Sequence, residues 1–229
     1  MTGVHDLLFD RLDVDGAIAE AAERAGVVSR ATFLAGALGG SLALLGLGAE
    51  RAAGQGPGPS DVAILNYALV LEYLQAAFYT EAQRMKALRG RAAEAADVVG
   101  AVERAHIAAF RDVLGSKASS SPSFDFQGTT EDQNAFLKTA VAFEDLAVAA
   151  YKGQATRIKA SSVLAAALAI HSVEARHAAW MRYLFGVEPA VRAFDEPQSK
   201  QQITRVVNST NFITSTPSTQ GSRTPRYTG

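Results

Sequence analysis

The chain has 229 residues, of which 48% are hydrophobic, and a formal net charge of −1. So balanced a charge leaves no electrostatic footprint for nucleic acid. The absence of cysteine removes disulfide frameworks, thiolate metal sites and thiol nucleophiles. Alanine is prominent in the hydrophobic share and favours helix over strand. Residues 4–28 fit a short amphipathic helix of mixed charge. Residues 31–49 then carry no charge, with Arg30 and Arg51 as flanks. A helix of that length rises roughly 28 Å, about one hydrocarbon thickness. Small residues ("LGA") before Glu50 fit a cleavage site. Residues 1–53 therefore read as a helix plus an export signal or membrane anchor, against the alternative of a buried core helix. The protein is expected outside the cytoplasm, exported or tethered by residues 31–49.

"GQGPGPS" at 54–60 is a linker by composition. Four helical segments follow. Ser60 is the expected N-cap of the first, which runs to about Leu88 with Gly90 interrupting. The second runs from about 91 to Leu114 and ends at Gly115. "SKASSSPSFDFQGTT" is a long polar connection. Thr130 with Gln133 reads as a capping box for the third helix, which continues to about Ile158. "KASS" is a short turn; Ser161 or Ser162 caps the fourth helix, and Gly186 closes it. Loops that go short, long, short give two antiparallel helix hairpins joined by a crossover, an all-α, ferritin-like four-helix bundle over residues 60–195. Residues 196–229, rich in Ser, Thr and Pro, are expected to be mostly disordered, with Phe212 and Ile213 able to dock.

The two hairpins look like copies. "LEYLQAAFY" at 71–79 matches "FEDLAVAAY" at 143–151, and "HIAAFRDVLG" at 106–115 matches "HAAWMRYLFG" at 177–186. Each correspondence lies 71 or 72 residues apart, which implies approximate two-fold symmetry. Upstream of the second match, "VERAH" at 102–106 and "VEARH" at 173–177 each place Glu three residues before His, on one helix face. Residues equidistant from a hairpin turn share a level, so Glu72 meets Glu103 and His106, and Glu144 meets Glu174 and His177. Four carboxylates inside an apolar bundle need compensation. Two divalent cations would supply it, and mixed oxygen and imidazole ligation suits iron, manganese or zinc. A Glu from each of two helices plus Glu-x-x-His from the other two is the di-iron or di-manganese carboxylate pattern. With 12 Glu and four His in the chain, chance supplies roughly 0.2 such motifs. Two at matching offsets outweigh the alternatives, ordinary surface residues or a salt-bridge network without metal.

Residues 60–195 resemble the exported ferritin-like domain proteins, relatives of plant desiccation-associated proteins. "NYALVLEYLQAAFY", "AFEDLAVAAYKG" and "IHSVEARHAAWMR" carry the resemblance. It implies a ferritin-like bundle with a dinuclear metal site. "SRATFL" resembles a twin-arginine export signal in which Ala31 replaces the second arginine.

Tyr79 and Tyr151, each seven residues after its Glu, face the same way. They read as core residues with satisfied hydroxyls or as donors to a ligand carboxylate, the former preferred. Asn66 and Gln75 are weaker candidates for the surroundings of the site. His171 is expected at the surface or beside the site. Glu81 and Glu94, nine residues from a proposed ligand, should be solvated. Arg111 and Arg182 read as surface residues by default, with pairing to Asp112, Asp145 or other carboxylates as the alternative. The function expected is a redox one: oxidising Fe(II) or handling oxygen or peroxide in stress protection, with assembly as a homo-oligomer left open. The alternative is a non-catalytic metal-binding or structural stress protein.

Overall fold

The computed structural model describes residues 57–215; the expected export segment and residues 216–229 lie outside the described residues. Four long helices make the bundle: α1 (Pro59–Met85), α2 (Gly90–Leu114), α3 (Gln133–Ala155) and α4 (Ser161–Phe185). A fifth helix, α5 (Lys200–Thr210), follows them. The described residues contain no strand, only an isolated bridge between Phe124 and Ile213. α1 and α2 form one hairpin, α3 and α4 the other. Tyr79 of α1 meets Glu144 of α3, while Tyr151 of α3 meets Glu72 of α1, so α1 and α3 run antiparallel. The contacts of His106 with Glu174 and of His177 with Glu103 show the same for α2 and α4. The pseudo-two-fold axis therefore crosses the bundle at right angles, and the crossover must travel its full length.

Helix boundaries depart from the expected ones where tertiary contacts replace local caps. α1 begins at Pro59 with Gly58 as N-cap, and Ser60 does not cap it. Proline tolerates the first helical position because its missing N–H is unpaired there anyway. Thr130 and Gln133 form no capping box. Asp132 caps α3 by accepting from the Ala135 N–H, and Thr130 donates to Glu81. The N-cap of α4 is Ala160, with no side-chain bond from Ser161 or Ser162. Instead, each hairpin's turn is held by the opposite hairpin. Asp61 in the first turn of α1 accepts the N–H groups of Lys159 and Ala160, both at 2.9 Å. Gln133, its counterpart at the start of α3, accepts the Arg89 N–H at 2.8 Å.

The crossover is less polar in role than in composition. Phe124 and Phe126 are buried and pack with Phe78, Phe136, Phe143 and Phe212 in an aromatic cluster. This lid covers the outer face of α1, which is why Glu81 is buried, contrary to the solvated position expected; Glu94 is exposed as expected. Over its described residues, 196–215, the tail also departs from the disorder expected, while the docking expected of Phe212 is present. A capping box between Ser199 and Gln202 opens α5, whose Ile203 and Val207 are buried against the bundle. Phe212 follows them inside, and the Asp125 N–H bonds to its carbonyl at 2.9 Å. The segment before α5 crosses α3 at Gly153, where a Cβ would lie 1.9 Å from the Gln198 carbonyl oxygen. Only glycine permits that approach.

One described helix, α1, is long and apolar enough to cross a membrane, but its apolar stretch is mostly buried within the bundle. It is the core helix on which the site is built.

Candidate metal centre

Six polar side chains meet in one layer of the bundle: Glu72 of α1, Glu103 and His106 of α2, Glu144 of α3, Glu174 and His177 of α4. The four glutamates have no solvent exposure, while His106 and His177 retain 9% and 6%. Their placement follows from helical spacing, since residues three apart share a face. Gly100 assists. A Cβ there would meet the Tyr79 Cβ at 2.9 Å, so the absence of a side chain lets α1 settle against α2 one turn before Glu103.

His106 Nδ1 lies 3.2 Å from Glu72, 3.4 Å from Glu103 and 3.1 Å from Glu174. His177 Nδ1 lies 3.5 Å from Glu144, 3.9 Å from Glu174 and 2.9 Å from Glu103. The second set is the image of the first under the repeat. Each imidazole faces the lone Glu of its own hairpin, the Glu three residues before it, and the matching Glu of the other hairpin. Two groups of candidate ligand atoms result, each contained within 4.8 Å: Glu72, Glu103, His106 and Glu174, and then Glu103, Glu144, Glu174 and His177. Glu103 and Glu174 belong to both.

The tyrosines tie the halves together. Tyr79 donates to Glu144 at 2.5 Å, and Tyr151 donates to Glu72. Both are buried, so the core reading and the donor reading hold together. Beyond them, Arg111 donates to the Tyr73 hydroxyl, and Arg182 makes a two-pronged contact with Asp145. Tyr73 and Asp145 occupy equivalent repeat positions, so the cation is kept while its partner changes. Asn66 does not serve the site; it anchors the start of the crossover through Lys117 and Ser119. Gln75 is buried with an unpaired amide nitrogen, and His171 is half-buried with an inaccessible, unpaired Nε2. Sequence reasoning missed the exchange of hydrogen bonds between Tyr and Glu of opposite hairpins. Its signal was the antiparallel register of α1 and α3.

The electrostatics describe a cluster held by protons. Burial raises Glu103, reinforced by the facing Glu174, and burial raises Glu144 to about 7. Burial alone would lower both imidazoles. The surrounding carboxylates overcome it, pushing His177 up to about 12 and His106 well above its usual range. Even so, both oxygens of Glu103 and of Glu174, Oε2 of Glu144 and Nδ1 of His177 are buried without a hydrogen bond of proper geometry. Leaving such atoms unpaired costs about 1–3 kcal/mol each. Close approach without alignment is what donors show when they converge on a point between them. The donor set, hard carboxylate oxygen with borderline imidazole nitrogen, fits a divalent transition metal.

No curated protein matches the chain. A family comparison matches residues 60–187, more than half of its length, to the ferritin-like domain. Together with the helical fold and the Glu and His cluster, this match shows that the chain belongs to the ferritin-like domain family.

Proposed function

We propose that the protein holds two divalent ions, iron or manganese, and uses them to react with oxygen or peroxide in protection against oxidative stress. The observation that carries this reading is the pair of four-residue groups sharing Glu103 and Glu174, with five buried carboxylate oxygens that lack a well-aligned hydrogen bond. Two cations would balance the charge of four glutamates. Glu72 and His106 would complete one position, Glu144 and His177 the other, and the shared glutamates would serve both. When bound, two such ions would supply one electron each to the oxidant.

The chain's own residues set the conditions. Tyr151 and Tyr79 fix the orientation of Glu72 and Glu144. Complete burial of the glutamates excludes water from their side of the site. The imidazoles must give up their protons to become ligands, so loading releases protons and weakens as pH falls. The uncharged run at 31–49, flanked by Arg30 and Arg51, supports a location outside the cytoplasm. Anaerobic addition of Fe(II) followed by oxygen tests the activity through oxygen consumption and absorbance. The reading requires turnover that disappears in Glu103→Ala. A metal-dependent rise in melting temperature without turnover would favour the structural alternative, which has its own support because each group draws ligands from both hairpins.

A further inference from the structure

We infer that the seam between α2 and α4 is the route by which the second reactant reaches the site, and that this reactant is a small neutral oxidant rather than a hydrated cation. The inference rests on the metal-binding reading above and adds the chemical class of what passes.

Among the six site residues only the two histidines keep any solvent exposure. Both lie on the sides of α2 and α4 that face each other, as their contacts with Glu174 and Glu103 require. On the opposite side, the α1 and α3 face is closed by buried Tyr79 and Tyr151. The seam is thus the side on which the site comes nearest to water.

Its chemistry is apolar. Residues three and four positions away surround a side chain on a helix surface. Apart from the site glutamates and the core residues Phe110 and Met181, those positions are Val102 and Ala109 around His106, and Val173 and Trp180 around His177. All four are half-buried, forming a rim rather than a core. The next positions along both stripes, Val113 and Leu184, are aliphatic and half-buried too. A hydrated divalent ion crossing this rim would lose water with no oxygen ligand to replace it, at a large desolvation cost. A neutral diatomic or peroxide pays almost none. The rim therefore favours oxidant exchange over ion traffic, and bound metal should behave as a resident cofactor rather than as stored cargo.

The test uses Fe(II)-loaded full-length protein and nitric oxide, a neutral diatomic whose binding is read by absorbance without turnover. The double variant Val102→Phe/Val173→Phe should slow nitric oxide binding by at least about tenfold while keeping two iron ions per chain. Leu168→Phe, an exposed position nine residues from His177 on the far side of α4, should leave the rate unchanged. Trp180→Ala, which opens the rim, should let tert-butyl hydroperoxide oxidise the bound iron faster than in the parent protein. A chelator should remove the iron far more slowly than nitric oxide binds. Unchanged nitric oxide binding in a fully loaded double variant would overturn the route. If filling the seam instead costs metal, Trp180→Ala decides, and an unchanged hydroperoxide rate there overturns it. Iron leaving as fast as nitric oxide enters would overturn the preference for neutral reactants. Failure of the parent protein to bind iron at all would defeat the metal reading, a result separate from either.

Discussion

The two hairpins carry the same ligand set and differ around it. At the axis, the contacts of His106 and His177 repeat position for position, and the tyrosines exchange bonds with the opposite glutamates. One layer out, Arg111 holds a Tyr hydroxyl where Arg182 holds a carboxylate. Farther still, Asp61 receives two N–H groups where Gln133 receives one. Symmetry is tightest where four buried acids must be balanced and loosens away from them, even at Asp61, which is itself buried. The comparison teaches that the repeat is held most closely where like charges are buried together, the arrangement costliest to leave uncompensated.

The largest way to break the comparison is through the shared acids. Glu103→Ala or Glu174→Ala should reduce metal content below one ion per chain, because each glutamate belongs to both groups. Glu72→Ala or Glu144→Ala should leave about one ion, since each removes one position's own ligand. Elemental analysis after anaerobic loading distinguishes these outcomes; equal losses from all four variants would contradict the sharing.

Next come the turn locks. Asp61→Ala removes a buried carboxylate accepting two N–H groups, and should cost about 2–3 kcal/mol, against about 1 kcal/mol for Gln133→Ala. Urea unfolding measures both. The pH dependence also separates them. Backbone hydrogen bonds from Lys159 and Ala160 hold Asp61 below its ordinary range. Its contribution is therefore complete above the unfolded value of about 3.9 and is lost as pH falls through the lower folded value. Gln133 does not titrate, so its contribution should stay flat across the same acid window.

Tyr79→Phe and Tyr151→Phe should each weaken metal binding about 10- to 100-fold by freeing a ligand carboxylate, and by similar factors if the halves are equivalent. Competition with a chelator reads the ratio directly. The smallest effect should come from Arg182→Ala. Its Asp145 partner is 37% exposed, so the pair contributes at most about 1 kcal/mol. A larger loss would mean that the outer layer supports the site more than its exposure implies.

Much of the site was legible because each element of it is periodic. Glu-x-x-His twice, a lone Glu upstream each time and a constant offset are enough to gather six residues without coordinates. Gly115 and Gly186 also ended α2 and α4 where the pattern placed them. Thr130 and Gln133 misled because their spacing is that of a local cap, whereas both spend their hydrogen bonds on distant partners, Glu81 and Arg89. Glu81 misled because a helix wheel shows which side faces away from the site, not whether a crossover covers that side. The tail misled in part: docking by Phe212 was legible, but the polar composition around them hid Ile203 and Val207, which are buried with it.

By itself, then, the amino-acid order determined helix content, the repeat and the identity of the clustered acids and imidazoles, since all of these follow from spacing along one chain. Only the tertiary structure decided which hairpin steadies the other's glutamates, what the crossover hides and where the site approaches solvent. Those depend on antiparallel register and on packing between segments remote in sequence, where a single side chain's surroundings are set by elements that its neighbours in the chain do not specify.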